Sequence, residues 1–313
     1  MEHRRLGRSD LLIAPLMLGG NVFGWTADEA TSHRVLDAFV DGGFNAIDTA
    51  DVYSAWVPGY TGGESERVLG TWLKARGRRD DVIIATKVGM WPARPGLSAA
   101  NIAAAVEESL QRLQTDYIDL YQSHRDDADT PQDETLEAYD RLVKAGKVRA
   151  IGASNFDAGR LSSALAVSEA KGLPRYDTLQ PAYNLMDRAI EASLQPLCLE
   201  QDVSVISYYG LASGFLTGKY RSADDLGKSP RGGAVKKYLE SEKGPRVLAA
   251  LDQVAAETGA TPAQVALAWV IAKPAVAAPI ASATSVAQLE ELMGAARLAL
   301  DPAHLARLDA ASA

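Results

Sequence analysis

One unit recurs along the first two thirds of the chain: a helix-compatible stretch stops at glycine and gives way at once to a short apolar run. Asp28 to Asp41 stops at Gly42-Gly43 before Phe44-Asn45-Ala46-Ile47-Asp48, and Glu64 to Arg76 stops at Gly77 before Val82-Ile83-Ile84-Ala85-Thr86. Thr135 to Ala145 stops at Gly146 before Val148 to Gly152, and Asp157 to Lys171 stops at Gly172 before Tyr176 to Gln180. Glycine past a helix end takes the left-handed conformation that closes the last turn, and short, wholly apolar runs suit strands buried on both faces. Leu16 to Gly19, Ile118 to Ser123, Val203 to Tyr208 and Val276 to Ala281 bring such runs to eight. Strands alternating with helices form right-handed parallel units, and eight of them predict a closed (β/α)8 TIM barrel, here a single domain over residues 1–313 behind an N-terminal hairpin.

The interval from Tyr208 to Val276 is too long for one crossover. Its start, Lys219 to Lys243, is rich in Gly, Ser, Asp and Lys and reads as a mobile lid, followed by two helices. The second opens on Thr261-Pro262-Ala263-Gln264, a cap residue, a proline at the first helical position and a capping-box glutamine. A doubly wound sheet is the rival fold, but no G-x-G-x-x-G follows the first strand. Gly214-Phe215-Leu216-Thr217-Gly218-Lys219-Tyr220 is one residue short of a phosphate loop and ends in tyrosine.

Composition narrows the function classes. A chain of 313 residues, 47% hydrophobic and 23% charged, is globular rather than disordered. With 32 Lys and Arg against 40 Asp and Glu, its net charge of −8 argues against a nucleic-acid footprint. The lone Cys198 forms no internal disulfide, and Met1 to Arg5 lacks the apolar core of a signal peptide, so a cytoplasmic location is expected. The apolar tract Ala263 to Ala281 is broken by Lys273 and Pro274, so no membrane span is expected.

Barrel chemistry sits where strands end and the following loops begin. The second strand ends at Asp48 and runs on through Thr49-Ala50-Asp51-Val52-Tyr53; the third ends at Lys87; the fourth ends at Ser123-His124. These bring a carboxylate, a phenol, an ammonium and an imidazole to one rim. A cation beside a phenol stabilises its phenolate, and a carboxylate holds the cation in place. Tyr53 is thus a candidate proton donor, tuned by Lys87 and Asp48, and His124 a candidate hydrogen-bond partner for the same substrate oxygen. Trp25, Trp56 and Trp91, in the loops after the first three strands, are candidate substrate contacts or lid packing. Arg125-Asp126-Asp127 reads as a solvated run, Ser154-Asn155 as a possible helix cap, and Ser285 with Gln288 as a capping box. No metal-spaced His or Asp cluster is present.

The motifs together resemble the aldo-keto reductase family over nearly the whole chain. They are Arg5-Leu6-Gly7-Arg8-Ser9, Asp48 to Tyr53 with Gly63-Glu64-Ser65-Glu66, Thr86-Lys87, Tyr121-Gln122-Ser123-His124, Ile151-Gly152-Ala153-Ser154-Asn155, Gln180-Pro181-Ala182-Tyr183-Asn184 and Leu211 to Tyr220. The resemblance implies a catalytic tetrad of Asp48, Tyr53, Lys87 and His124. It also implies a nicotinamide cofactor across the barrel mouth, NADPH with NADH possible, bound without a Rossmann domain. By the same resemblance Ser154, Asn155 and Gln180 hold its carboxamide, Tyr208 stacks on its ring, and Leu211, Ser213, Gly214 and Lys219 grip its pyrophosphate. Gly20, Ser282, Thr284, Gln288 and Glu291 complete the expected cofactor set.

Three departures stand out. Thr284 replaces the basic residue facing the 2′-phosphate, Leu292 replaces an asparagine, and Gly210 replaces a proline, which would loosen that turn. Lys219, Arg221, Lys228 and Arg231 on the lid are expected to add charge toward the phosphate. The implied activity is reversible reduction of a small-molecule carbonyl to an alcohol. A cofactor-binding regulatory subunit is the alternative, since channel-associated relatives use the same barrel as a partner module. A Schiff-base aldolase on Lys87 is a third reading.

Overall fold

The computed structural model describes residues 2–228 and 232–313. Two short antiparallel strands, β1 (Arg4–Arg5) and β2 (Leu12–Ile13), form the expected hairpin. Eight parallel strands follow: β3 (Met17–Gly19), β4 (Ala46–Asp48), β5 (Ile83–Val88), β6 (Ile118–Ser123), β7 (Val148–Ser154), β8 (Tyr176–Gln180), β9 (Ser204–Ser207) and β10 (Val276–Ala281). They pair in chain order, and β10 closes the ring against β3, so the sheet is the predicted barrel. Leu6, Leu11 and Ile13 of the hairpin pack with Met17, Ala46, Ile83, Leu120 and Ile206, sealing the end of the barrel opposite the strand C-termini. A second, larger core fills the space between strands and helices.

The helix ends explain both what was legible and what was not. α1 (Glu29–Asp41) and α2 (Glu64–Arg76) start and stop where expected, and Gly77 caps α2 at φ +66°. α3 (Ala99–Leu113) escapes the glycine pattern because Gln114 takes the left-handed position, at φ +51°. α4 (Gln132–Lys144) begins three residues before its predicted start. α5 (Ala158–Lys171) is capped by Asp157, whose carboxylate accepts from the Arg160 N–H, and by Gly172 at φ +66°. Ser154 and Asn155 are therefore not its cap. α6 (Leu194–Glu200) leads into β9.

The interval after β9 is more ordered than a mobile lid. Two 3₁₀ turns, Ala212–Thr217 and Ala223–Lys228, precede three helices: α7 (Gly232–Leu239), α8 (Lys243–Thr258) and α9 (Pro262–Ile271). Val235 of α7 is fully buried, and Tyr238 lies against Phe215 with ring centroids 5.4 Å apart. The polar composition that suggested mobility belongs to the outer face of this subassembly. Thr261 and Gln264 form the predicted capping box. α10 (Val286–Gly294) and α11 (Pro302–Ala311) complete the chain. Among the described residues, no helix is long and apolar enough to cross a membrane.

Candidate active site

Strand register assembles the site. Asp48 pairs across β4 and β5 with Ala85, and two residues further along β5 Lys87 pairs with Gln122. Gln122 in turn faces Gly152, and Ser154 faces Gln180. A Cβ on Gly152 would meet the Thr178 hydroxyl at 2.2 Å and Gln122 Cγ at 3.0 Å, so only glycine admits both side chains there.

Lys87 is fully buried, and its ammonium has three acceptors: Asp48 Oδ2 at 2.6 Å, the Thr49 carbonyl at 2.9 Å and the Tyr53 hydroxyl at 2.9 Å. The Tyr53 hydroxyl donates to Asp48 Oδ2 at 3.2 Å. The other carboxylate oxygen, Oδ1, accepts from Gln180 Nε2 at 2.9 Å and Gln122 Nε2 at 3.2 Å. A carboxylate only accepts, so these bonds fix both amides with their nitrogens toward Asp48. Gln122, a member of the Tyr121 to His124 motif with no role expected from sequence, is one of the holders of Asp48. Period-two alternation along β6, from Leu120 to Gln122, was the signal that could have found it.

Burial, and after it the charge of Asp48, pushes the Tyr53 phenol well above its ordinary range. The neighbouring cation does not lower it overall, because Lys87 is already neutralised by Asp48 and the phenol faces an ion pair rather than a free charge. Burial lowers Lys87 itself, against the opposing pull of Asp48. The His124 ring lies 6.1 Å from Tyr53, edge to face, and its buried Nδ1 has no partner among the described residues. Burial, then Lys87 and Arg125, hold its pKa well below the usual histidine value, so the ring is neutral at pH 7.

The remaining candidates fall into three groups. Asn155, at φ +56°, donates to the His124 carbonyl at 2.9 Å and to Ser154 Oγ at 3.1 Å, and its Oδ1 accepts from the Tyr208 hydroxyl at 2.7 Å. Ser154 Oγ donates to the Gln180 carbonyl. Ser154, Asn155, Gln180, Tyr208 and His124 thus form one connected rim. Gly20 is held by packing: a Cβ would lie 2.8 Å from the Ser65 hydroxyl, which donates to the Gly20 carbonyl. The Gly210 turn is not loose. Asn184 Nδ2 and the Ala212 N–H both donate to the Tyr209 carbonyl, and Gly210 packs against Leu267.

Further round the mouth, Ala212, Ser213 and Gly214, following Leu211, have φ of +48°, +59° and +95°, and the Lys219 side chain overlies Gly214. Two of the other cations expected to face the phosphate are committed elsewhere. Arg221 makes a bidentate pair with Asp252, Lys228 pairs with Asp225, and Arg231 lies outside the described residues. Lys219 makes no ion pair among the described residues. On the last segment the Ser282 hydroxyl donates to Asn21, and both the N–H and the hydroxyl of Thr284 donate to Gln288 Oε1 at 3.0 Å. Ser285 caps α10, but Gln288 bonds back to Thr284, so only half a capping box forms. Glu291 is exposed and Leu292 is buried in the core.

Trp25 and Trp56 meet edge to face at 5.7 Å, and Trp56 lies 6.0 Å from Tyr53. Trp91 is set apart: its indole donates to the Thr61 carbonyl and its ring is flanked by Arg94 and Arg112. Nor is Arg125-Asp126-Asp127 a solvated run. Asp126 binds Arg160 in bidentate fashion, and Asp127 accepts from the Leu97 and Asp129 N–H groups and the Thr130 hydroxyl.

The family model described as "Aldo/keto reductase family" matches residues 15–313. This chain belongs to the aldo/keto reductase family. The uncharacterized oxidoreductase YrpG of Bacillus subtilis is 36% identical to it over 99% of this chain and 95% of its own length. Aldo-keto reductase YhdN of the same organism is 36% identical over 88% of this chain and 81% of its own length. A probable voltage-gated potassium channel subunit beta of Arabidopsis thaliana is 32% identical over 94% and 91%. Aldo/keto reductases are oxidoreductases that generally use nicotinamide cofactors, and the rim here fits such a group. The amide hydrogens of Asn155 and Gln180 are engaged within the protein, which leaves the Gln180 oxygen, and the second lone pair of the Asn155 oxygen that accepts from Tyr208, as acceptors suited to a carboxamide NH₂. The left-handed run under Lys219 suits a phosphate.

Proposed function

We propose that this aldo/keto reductase is an NADPH-dependent carbonyl reductase that converts an aldehyde or ketone to an alcohol, reversibly. The observation that carries the reading is the buried chain Asp48–Lys87–Tyr53, which ends in a protonated phenol beside a neutral imidazole. Ser154, Asn155, Gln180 and Tyr208 would hold the nicotinamide end, and Leu211, Ser213, Gly214 and Lys219 the pyrophosphate. Ser282, Thr284, Gln288 and Glu291 would border the adenosine, with Gly20 at the foot of the mouth. When bound, the cofactor supplies a hydride to the carbonyl carbon.

Tyr53 delivers its proton to the carbonyl oxygen as that oxygen gains charge, and Lys87 stabilises the phenolate left behind until solvent reprotonates it. His124, neutral and beside Tyr53, donates a hydrogen bond that aims the same oxygen. Asp48, accepting from four donors, keeps Lys87 charged and in place. Trp25 and Trp56 form an apolar wall next to Tyr53 that favours a substrate with an apolar or aromatic flank.

A screen of NADPH oxidation against aromatic, aliphatic and sugar aldehydes tests the reading, and absence of turnover with every class would overturn it. The relatives named as channel subunits supply the second reading, a nicotinamide-binding regulatory subunit. Negligible turnover together with co-purification of a membrane partner would favour it.

A further inference from the structure

Asp51 is a buried acid that the proposed chemistry does not use. It follows β4 in the loop that carries Tyr53, is 1% exposed, and its Oδ1 has no partner among the described residues. Its backbone N–H donates to the Lys87 carbonyl, so the main chain that carries the carboxyl is fixed to the residue that holds the phenol. Charged and titratable groups face it from each neighbouring element: Glu66 on α2, Arg112 on α3, Arg94 in the loop after β5, Lys87 on β5, Tyr121 on β6 and Tyr139 on α4. Most of these are already matched. Glu66 accepts from the Thr86 hydroxyl and from Arg112, each at 2.6 Å, and Arg94 binds Glu108 with both terminal nitrogens. Asp51 is left as the unmatched acid of the cluster. The Tyr121 hydroxyl is likewise buried without a partner among the described residues.

Burial, reinforced by the negative charge of Glu66 and opposed by Arg112, pushes the Asp51 carboxyl up to about 7. Its charge acts in the direction that keeps Lys87 protonated.

We propose that Asp51 is a positioning residue: a buried carboxyl behind β5 whose gain and loss of a proton sets how firmly Lys87 holds its own proton between Asp48 and Tyr53. The proposal rests on the reductase reading for its kinetic consequence but not for its electrostatic one. When Asp51 ionises, the added anion steadies the Lys87 ammonium but, like the charge of Asp48, opposes ionisation of the Tyr53 phenol beside it. Hydride transfer should then slow as pH rises through the neutral range.

Two measurements decide it. Single-turnover rates of carbonyl reduction, taken across pH 5 to 9 (about two units either side of the Asp51 midpoint), should fall several-fold through an inflection near neutrality. Asp51→Asn should lose the inflection and stay near the low-pH rate, and Asp51→Glu should restore one. An Asp51→Asn profile that keeps the inflection would overturn the proposal. The second measurement is made on the free wild-type protein. The Lys87 Nζ and Asp51 carboxyl resonances, assigned by their loss in Lys87→Arg and Asp51→Asn, should titrate with a common midpoint near neutral pH. A Lys87 signal that ignores the Asp51 transition would overturn the proposal even where no carbonyl substrate is reduced, and that lack of turnover would separately sink the reductase reading.

Discussion

Lys87 Nζ lies 2.6 Å from Asp48 Oδ2 with both side chains shut away from solvent. Two opposite charges buried in contact cost desolvation on forming, and removing one of them strands the other. Lys87→Met should therefore destabilise the fold by about 3–5 kcal/mol, the range for breaking a buried pair. Turnover should collapse as well, since nothing else donates to the Tyr53 oxygen among the described residues. Denaturant unfolding and steady-state rates on the same preparation test both parts. A variant as stable and as active as the wild type would remove Lys87 from the site.

Tyr53→Phe isolates the proton from the packing. The ring stays against Trp56 and His124 while the hydroxyl, which among the described residues bonds only to Lys87 and Asp48, is deleted. Reduction should fall by roughly 10²- to 10⁴-fold, the usual worth of general acid catalysis, with cofactor affinity little changed. Wild-type turnover at saturating aldehyde would show that the proton comes from elsewhere.

How far the sequence revealed this site depends on what kind of signal each residue leaves. Asp48, Lys87 and His124 end apolar runs, and a polar residue at the C-terminal end of a barrel strand is visible without coordinates. Gln122 was harder to find, because its place opposite Lys87 depends on the register between β5 and β6. Asp51 was invisible as a special acid, since its environment is made by α2 and α3, whose approach no local pattern encodes. Helix α3 was hidden for a related reason: its last turn closes on Gln114, where the reading relied on glycine. The order of the segment after β9 was missed because its burial comes from Phe215 and Val235, amid a polar composition typical of loops.

His124 makes stability depend on pH in a definite sense. Its folded pKa is held well below the ordinary value by burial, Lys87 and Arg125, so between that value and about 6.5 the unfolded chain carries a proton that the native state refuses. Stability from this group is present above about pH 6.5 and is lost as pH falls. Each pH unit below that point costs about 1.4 kcal/mol at most. His124→Gln should flatten the difference: relative to the wild type, its unfolding free energy should rise as pH drops from 7 toward 5, a span of about two units. Parallel curves for the two proteins over that window would show that His124 titrates normally.

Cofactor choice turns on Thr284. A hydroxyl stands where a cation is expected, and that hydroxyl already donates to Gln288. Arg221 and Lys228 are paired with Asp252 and Asp225, so of Lys219, Arg221 and Lys228 only Lys219 is left without an acidic partner among the described residues. What remains for a 2′-phosphate is the start of α10, where N–H groups and the helix dipole favour an anion. The proposed preference for NADPH over NADH is expected to be on the order of 1 to 3 kcal/mol, the scale of one or two charge-assisted hydrogen bonds. With so few cations engaged, the lower end of that range is expected. Thr284→Arg should tighten NADPH by about tenfold, equivalent to one added charge-assisted bond, and leave NADH nearly unchanged. Added salt should then weaken NADPH more than NADH, and more steeply in the variant than in the wild type. Fluorescence titration of both cofactors at two ionic strengths measures all of these; equal affinities in the wild type, or tighter NADH, would mean that this segment does not read the 2′-phosphate.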